Sequence, residues 1–281
     1  MRHCPASVSE LERPAAPPLR EARRVAAIVE YDGTDYAGWQ SQVHSSSIQD
    51  AVQAALSFVA GHPVIAICAG RTDRGVHAIG QVIHFDTHAK RSPRAWVLGA
   101  NTKLSPSIAL QWADEVGMGF HARHRASARV YRYIILNRSE RSALHHARVA
   151  WMHRPLDAAR MHEAAQSLLG EHDFSAFRSI ECQSKTPVRR MHAIDVHRSG
   201  DYVHVDVTAN AYLHHMVRNI VGTLVDAQAG DDPAGRVAAV LAGRDRRQAG
   251  FTAPPSGLYL WRVIYPPHFG IPSAPAGLLL K

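Results

Sequence analysis

The chain has 281 residues, of which 46% are hydrophobic and 20% charged, a balance typical of a globular protein with a sizeable core. This composition excludes a disordered, collagen-like or disulfide-stapled chain. The sequence also contains no run of about 18 apolar residues, the length that a membrane-spanning helix needs. Lys and Arg number 32 against 24 Asp and Glu, and the formal charge of +8 favours a polyanionic partner such as nucleic acid.

The three cysteines, Cys4, Cys68 and Cys182, are widely spaced and form no CxxC pair. An odd and sparse set argues against a disulfide framework and against a structural zinc site. Because the first residues also lack the apolar core of a secretory signal, we expect a cytoplasmic protein.

Both ends of the sequence differ in composition from the middle. Residues 1–24 contain four prolines and five arginines but no aromatic residue, so we predict a disordered tail that cannot bury enough apolar surface to fold. Residues 267–281 are again rich in Pro and Gly and predict a C-terminal tail. The folded part between them is predicted to have an N-terminal half, 25–118, and a C-terminal half, 119–266.

The first half alternates between strand and helix patterns. Ser47 and Asp50 resemble a capping box, apolar residues follow at helical spacing, and Gly61 ends the run. The predicted elements are a strand (25–31), a helix (48–59), two strands (64–68 and 81–85), a helix (96–103) and a strand (108–114).

The second half gives the same order. The predicted elements are a strand (128–136), a helix (157–169), two strands (188–197 and 202–208), a helix (213–224) and a strand (257–264). Both halves therefore read βαββαβ. The predicted fold class is α/β (α+β), with two ferredoxin-like βαββαβ halves whose mostly antiparallel sheets lie side by side around a central basic cleft.

The densest polar cluster is GRTDRGVH, residues 70–77, between two predicted strands. Its composition is compatible with a simple tight turn, since Gly and Asp are common turn residues. It also sets Asp73 between Arg71 and Arg74, and opposite charges hold a carboxylate ionised. A positioned, ionised Asp can act as a nucleophile or a base.

The longer run GRTDRGVHAIGQVIHF resembles the active-site motif of the tRNA pseudouridine synthase A family. EYDGTDYAGWQ, FHARHRASARVYRYII, DFSAF, AYLHHMVRNIVGTL and GLYL extend the resemblance over about residues 25–265. That family converts uridine to pseudouridine at positions 38, 39 and 40 of the tRNA anticodon stem-loop. The resemblance implies this activity, tRNA as partner, a homodimer, and no metal or organic cofactor.

The resemblance also assigns roles to four residues. Asp73 falls on the family's essential aspartate, and Arg71 falls on an arginine expected to fill the gap left by a flipped base. Tyr131 falls on the active-site tyrosine and shares a strand face with Arg129, which suits stacking on an extruded base. Arg218 falls on the arginine expected to pair with the aspartate. From the sequence pattern alone, Arg71 also fits an exposed arginine in a turn. Tyr131 also fits a tyrosine packed in a sheet, and Arg218 an arginine at the rim of a helix.

Arg74 is a departure from the family pattern, because bacterial members often have a small residue there. We expect Arg74 to contact a phosphate and to leave the chemical step largely intact. The basic run Arg123, His124, Arg125, Arg129 and Arg132 opens the second half. It fits either a cleft lining that follows the tRNA backbone or an ordinary charged surface.

The sequence contains 19 histidines, which raises the question of a metal site. The adjacent pairs His145-His146 and His214-His215 do not share a helix face, and no HExxH or Cys/His ligand spacing occurs. We therefore expect no functional metal. Two alternative functions remain open: a related synthase that acts at other RNA sites, and an RNA-binding protein that has lost catalysis.

Overall fold

The computed structural model describes residues 22–273 as a mixed α/β fold built on one ten-stranded sheet. Most of the two predicted tails, residues 1–21 and 274–281, lies outside the described residues. Within the described part, no helix is long and apolar enough to cross a membrane.

The N-terminal elements follow the predicted order. They are β1 (Arg23–Tyr31), α1 (Ile48–Ala60), β2 (Ile67–Cys68), β3 (His77–Thr87), α2 (Pro93–Asn101) and β4 (Ile108–Val116). The Ser47 side chain caps α1 by accepting from the backbone N–H of Asp50, and Gly61 ends the helix at φ 74°. Both predicted helix signals are therefore confirmed, whereas β2 is shorter than the predicted strand 64–68.

The C-terminal elements contain the predicted six and three more. They are β5 (Ala128–Asn137), β6 (Ala150–Met152), α3 (Ala158–Ala165), β7 (Gly170–Asp173), β8 (Val188–Ser199), β9 (Tyr202–Ala209), α4 (Met216–Ala227), α5 (Pro233–Gly243) and β10 (Leu258–Ile264). The strands β6 and β7 are too short to give a readable alternation. Helix α5 does carry a start signal that was missed, an Asp232 cap followed by Pro233 at the first turn.

The strand order in the sheet is β4-β1-β3-β10-β5-β9-β8-β7, with β2 beside β3 and β6 beside β5. The first half thus has the order β4-β1-β3-β2 and the second half the order β10-β5-β9-β8. Each half has its fourth strand beside its first and its third beside its second. The predicted fold class is confirmed, while the division of the chain at residue 118 stays a prediction.

The sheets of the two halves, predicted to lie side by side, are joined edge to edge into one continuous sheet. Strand β10 pairs antiparallel with β5 and, through Tyr259 and Leu260, parallel with His77 and Ala78 of β3. This pairing is possible because the short β2 covers β3 only at Ile83 and His84. The other end of that edge is left free for β10.

The main core lies between the helices and one face of the sheet. Val203, Val205 and Val207, every second residue of β9, are fully buried in it. A smaller cluster that includes Ile134 and Leu136 lies on the opposite face of β5. The cleft described below opens on the main-core side, where Tyr131 and Tyr133 point.

The folded region extends slightly beyond the predicted tail boundaries. Arg24, predicted to lie in the tail, belongs to β1 and pairs with Asp86 at 2.7 Å. At the other end, the Phe269 ring packs edge-on against Phe120, with centroids 5.3 Å apart. These contacts fix segments that composition alone assigned to the tails.

Stability is expected to fall as the pH drops from about 6.5 to 4, and His84 is a main cause. His84 is 2% exposed, and burial, with help from His121 and Arg24, lowers its pKa to about 4. At pH 5 the unfolded chain therefore binds a proton at His84 that the folded chain does not bind. This difference lowers the free energy of unfolding by about 2 kcal/mol at that pH.

Urea unfolding at pH 7 and pH 5 measures this effect. In His84→Asn the side-chain oxygen replaces the Nδ1 that accepts from the Ala122 N–H, so the variant can fold without a titrating group. We expect its stability to depend on pH less steeply than that of the wild type, by about 2 kcal/mol over this interval. An equally steep loss in the variant would contradict the assignment to His84.

Candidate active site

The loop between β2 and β3, residues 69–76, is held in place by hydrogen bonds from neighbouring strands. Gln81 donates to the Gly70 carbonyl at 2.6 Å, and the Tyr31 hydroxyl contacts Thr72 Oγ1 at 2.8 Å. The Thr72 side chain is buried. We name this segment the Asp73 loop, and its rigid base fixes the position at which Asp73 leaves the sheet.

The segment EYDGTDYAGWQ packs directly behind the Asp73 loop. The Trp39 N–H donates to the Thr72 carbonyl at 2.9 Å. Gly38 forms a β-bridge with Asp73. The φ of Gly38 is 105°, and a Cβ at Gly38 would lie 2.6 Å from the Thr72 carbonyl oxygen. Gly33 is as tightly packed, since a Cβ would lie 2.0 Å from the Val76 oxygen. Two separate sequence motifs thus form one structural unit.

The Asp73 loop lies in a cleft of about 1230 Å³, larger than a typical small-molecule pocket of about 300–1,000 Å³. Its charged lining is strongly basic. Six arginines and two acids line it: Arg71, Arg74, Arg123, Arg129, Arg189 and Arg218, with Asp73 and Glu181. The cleft is therefore suited to a large, negatively charged ligand.

The structure brings all four predicted site residues to this cleft. Asp73 has a side chain that is 31% exposed, whereas Tyr131 is buried and packs edge-on against Tyr212 with centroids 4.8 Å apart. Arg71 is exposed on the Asp73 loop. Arg218 enters from α4.

The expected ion pair between Arg218 and Asp73 is not formed. Arg218 Nε donates instead to the Ala253 carbonyl at 2.7 Å, and none of its nitrogens lies within 4.0 Å of the Asp73 carboxylate. Two imidazoles take that place: His214 Nε2 lies 3.3 Å from Asp73 Oδ1, and His215 Nε2 lies 3.5 Å from Oδ2. Arg218 acts on Asp73 only through its charge at longer range.

Sequence reasoning missed the two histidines because it treated them as helical. Helix α4 begins at Met216, so His214 and His215 precede it. His215 has φ 61°. Its left-handed backbone brings the two adjacent rings to a centroid distance of 3.9 Å, tilted by 32°, while both face Asp73. The HH pair before a helix was visible in the sequence, but its backbone conformation was not.

The Asp73, His214 and His215 ligand atoms lie within 4.8 Å of one another, a spacing that a transition-metal ion could span. The surrounding arginines disfavour a cation, and the expectation of a metal-free site stays a prediction. Burial lowers the pKa of His215, with the charges of His214 and Arg218 adding to that effect and Asp73 opposing it.

Tyr131 and Arg129 form the floor of the cleft beneath the Asp73 loop. Burial raises the pKa of the Tyr131 hydroxyl, and the Asp73 charge raises it further, so Tyr131 is neutral at pH 7. Arg129 donates to the carbonyls of Ala69, Asn210 and Arg123. This cation ties the Asp73 loop to the second half of the chain and has no acidic partner among residues 22–273.

The basic run at the start of the second half lies in three different places. Arg123 and Arg129 line the cleft. Arg132 lies on the other face of β5, pairs with Asp206 at 2.7 Å and stacks on Trp261. Arg125 is exposed outside the cleft and donates to the Gly119 carbonyl. Only part of the run therefore fits a cleft lining.

Known proteins resemble this sequence over most of its length. The sequence profile of the family described as tRNA pseudouridine synthase matches residues 27–124 and 164–266. The chain is 51% identical over 256 residues to a tRNA pseudouridine synthase A of Shewanella baltica, covering 91% of this chain and 98% of the relative. It is 53% identical to the Aeromonas hydrophila protein of that name, with 91% and 95% covered.

The chain belongs to the tRNA pseudouridine synthase family. The resemblance based on the motif GRTDRGVH is thereby confirmed. The profile match covers the Asp73 loop, Arg218 and the histidine pair.

Arg74 offers a test of RNA contact in this tRNA pseudouridine synthase family member. Arg74 is exposed at the cleft, so Arg74→Ala should weaken binding of a tRNA transcript and lower the salt slope by about 0.9 per lost phosphate contact. Arg125→Ala removes an equal charge outside the cleft and should leave the slope unchanged. Binding titrations at several salt concentrations measure both.

The chemical step in Arg74→Ala should stay close to wild type in single-turnover assays at saturating tRNA, since the contact that we expect for Arg74 is with the RNA backbone. A large fall in that rate would show instead that Arg74 acts in the chemistry beside Asp73.

Proposed function

We propose that the chain isomerises uridine to pseudouridine at positions 38, 39 and 40 in the anticodon stem-loop of tRNA, with Asp73 as the catalytic group and no cofactor. The supporting observation is the position of Asp73, an accessible carboxylate inside a large cleft lined by six arginines. Both relatives described above are named tRNA pseudouridine synthase A.

The chemistry rearranges the nucleotide without net oxidation or transfer to another molecule. Asp73 attacks the target nucleotide, at its base or its ribose, and the bond between N1 of uracil and C1′ of the ribose breaks. The uracil turns, its C5 bonds to C1′, the bond to Asp73 breaks and restores the carboxylate, the C5 proton leaves and N1 gains a proton. No step of this rearrangement requires a metal ion, a nicotinamide or a flavin.

The side chains around Asp73 suit an extruded nucleotide. Tyr131 lines the cleft and stacks on the extruded base, a kind of contact that contributes about 1–3 kcal/mol. Arg71 is exposed on the same loop as Asp73 and fills the gap left in the RNA stack. The Nη atoms of Arg218 make no hydrogen bond with any described residue, and they bind the substrate.

The remaining cleft arginines bind phosphate groups of the stem-loop. Contacts to phosphates fix the position and orientation of the double-stranded stem in the cleft. The shape of the cleft therefore decides which uridines reach Asp73, and it selects the three neighbouring ones. The protein works in the cytoplasm as a homodimer.

The test is pseudouridine formation in unmodified tRNA transcripts that carry uridine at position 38, 39 or 40. Positions are mapped by a pseudouridine-specific chemical stop, and release of tritium from C5 gives the rate. Product at these three positions is the expected result. Matched transcripts with cytidine at all three positions serve as the control and should give none.

The two alternative functions predict different outcomes. Product only at other uridines would keep the chemistry and overturn the choice of target sites. No product in any transcript, with tRNA still bound, would make the chain an RNA-binding protein that has lost catalysis.

A further inference from the structure

The Asp73 carboxylate is contacted on both oxygens by one pair of neighbouring side chains. His214 Nε2 faces Oδ1 at 3.3 Å and His215 Nε2 faces Oδ2 at 3.5 Å. Contacts between catalytic groups are often long without substrate and shorten in the complex. A carboxylate held at both oxygens cannot rotate about its side-chain bond without losing one contact.

The residue type at position 215 is not explained by the backbone. His215 has φ 61° and occupies the N-cap of α4 without any side-chain capping hydrogen bond. Gly or Asn would fit the left-handed conformation at lower cost, and Ser, Asp, Asn or Gly would cap the helix better. A non-glycine residue held in such a conformation carries backbone strain and points to a functional constraint.

His214 is fixed through its main chain. Its N–H donates to Cys182 Sγ at 3.4 Å, and its carbonyl accepts from the Ser179 N–H at 3.0 Å. Its Nδ1 is buried and has no hydrogen-bond partner in the described part of the chain. A proton on Nδ1 would bury an unpaired N–H and aim a lone pair at Asp73, so we assign the proton to Nε2.

We propose that His214 and His215 are positioning residues that hold the Asp73 carboxylate by one N–H on each oxygen and aim it at the flipped nucleotide. They take the place expected of Arg218, whose Nη atoms are left for the substrate. This inference rests on the proposed function, in which Asp73 is the catalytic group.

The kinetic test uses His215→Gly and His215→Gln in the full chain, with single-turnover rates at saturating tRNA, tRNA affinity and thermal unfolding. His215→Gly should unfold at an equal or higher temperature because backbone strain is relieved. Its rate should nevertheless fall about 10²-fold, the cost of a misplaced reacting group, with affinity within about twofold. Gln carries an N–H at a similar reach, so His215→Gln should recover part of the rate.

Arg244→Gly is the matched control. Arg244 is the other non-glycine residue with positive φ in the described part of the chain, at 52°, and it lies outside the cleft. It should show the same gain in stability with a wild-type rate. A wild-type rate in His215→Gly would overturn the proposal, and so would a loss of stability and tRNA affinity in parallel with the rate. Loss of wild-type activity in EDTA would instead assign the cluster to a metal.

Nitrogen NMR of ¹⁵N-histidine protein tests the contact without any activity. His214→Gln and His215→Gln assign the two rings. We expect His214 to carry its proton on Nε2, and both rings to shift in Asp73→Asn. Unmoved resonances would overturn the proposal, whereas a wild type that forms no pseudouridine would overturn only the proposed function and leave this contact to be decided by the spectra.

Discussion

Asp73→Asn is expected to lower pseudouridine formation by about three orders of magnitude or more, since loss of a nucleophile removes the covalent pathway. Asn has the same shape, so the Asp73 loop should keep its hydrogen bonds to Gln81 and Tyr31. Affinity for tRNA should stay equal or rise slightly, because one negative charge leaves a basic cleft. Single-turnover assays and binding titrations at one salt concentration measure both quantities.

Glu181→Gln is the matched control for this change of charge. Glu181 is the other acid that lines the cleft, and it is exposed. This variant should bind tRNA like Asp73→Asn and keep a wild-type rate. Comparable loss of activity in both variants would mean that cleft charge, rather than the carboxylate of Asp73, carries the reaction.

Gly33→Ala is expected to damage the site from behind. A Cβ at position 33 would lie 2.0 Å from the Val76 carbonyl oxygen, against 3.4 Å or more for an ordinary contact. Val76 must therefore move by more than an ångström, and its N–H closes the Asp73 turn at 3.1 Å. We expect a rate loss of about 10²-fold and a loss of about 1–3 kcal/mol in the free energy of unfolding.

Gly119→Ala separates this steric effect from any general effect of replacing a glycine. No atom lies within 4 Å of a Cβ built at Gly119, so both rate and urea midpoint should stay near the wild type. The steric explanation would fail if Gly33→Ala folded and reacted as well as Gly119→Ala.

The sequence predicted the order of the main elements because their signals are local. The Ser47 cap, the Gly61 stop and the alternation of Val203, Val205 and Val207 are each decided within a few residues. The same holds for the site. The long motif around Asp73 was distinctive enough to indicate the family, and the resemblance then pointed to Tyr131 and Arg218, which do line the same cleft.

The features that sequence reasoning missed depend on distant contacts or on backbone conformation. The pairing of β10 with β3 joins residues that are far apart in the chain, and no residue pattern within β10 predicts this partner. The role of His215 depends on a positive φ that most histidines do not adopt. The ion pair expected for Arg218 failed because the Ala253 carbonyl, an atom without any sequence signal, accepts its Nε.

The central place of β10 has a consequence for biosynthesis. The strand that bridges β3 and β5 is the last strand of the described chain to leave the ribosome. Until it arrives, the edges of β3 and β5 have unpaired backbone groups, which can pair with other chains. Maturation of the catalytic loop, which leads into β3, is thus coupled to completion of the polypeptide, and premature termination before Leu258 would yield an aggregation-prone product rather than an active fragment.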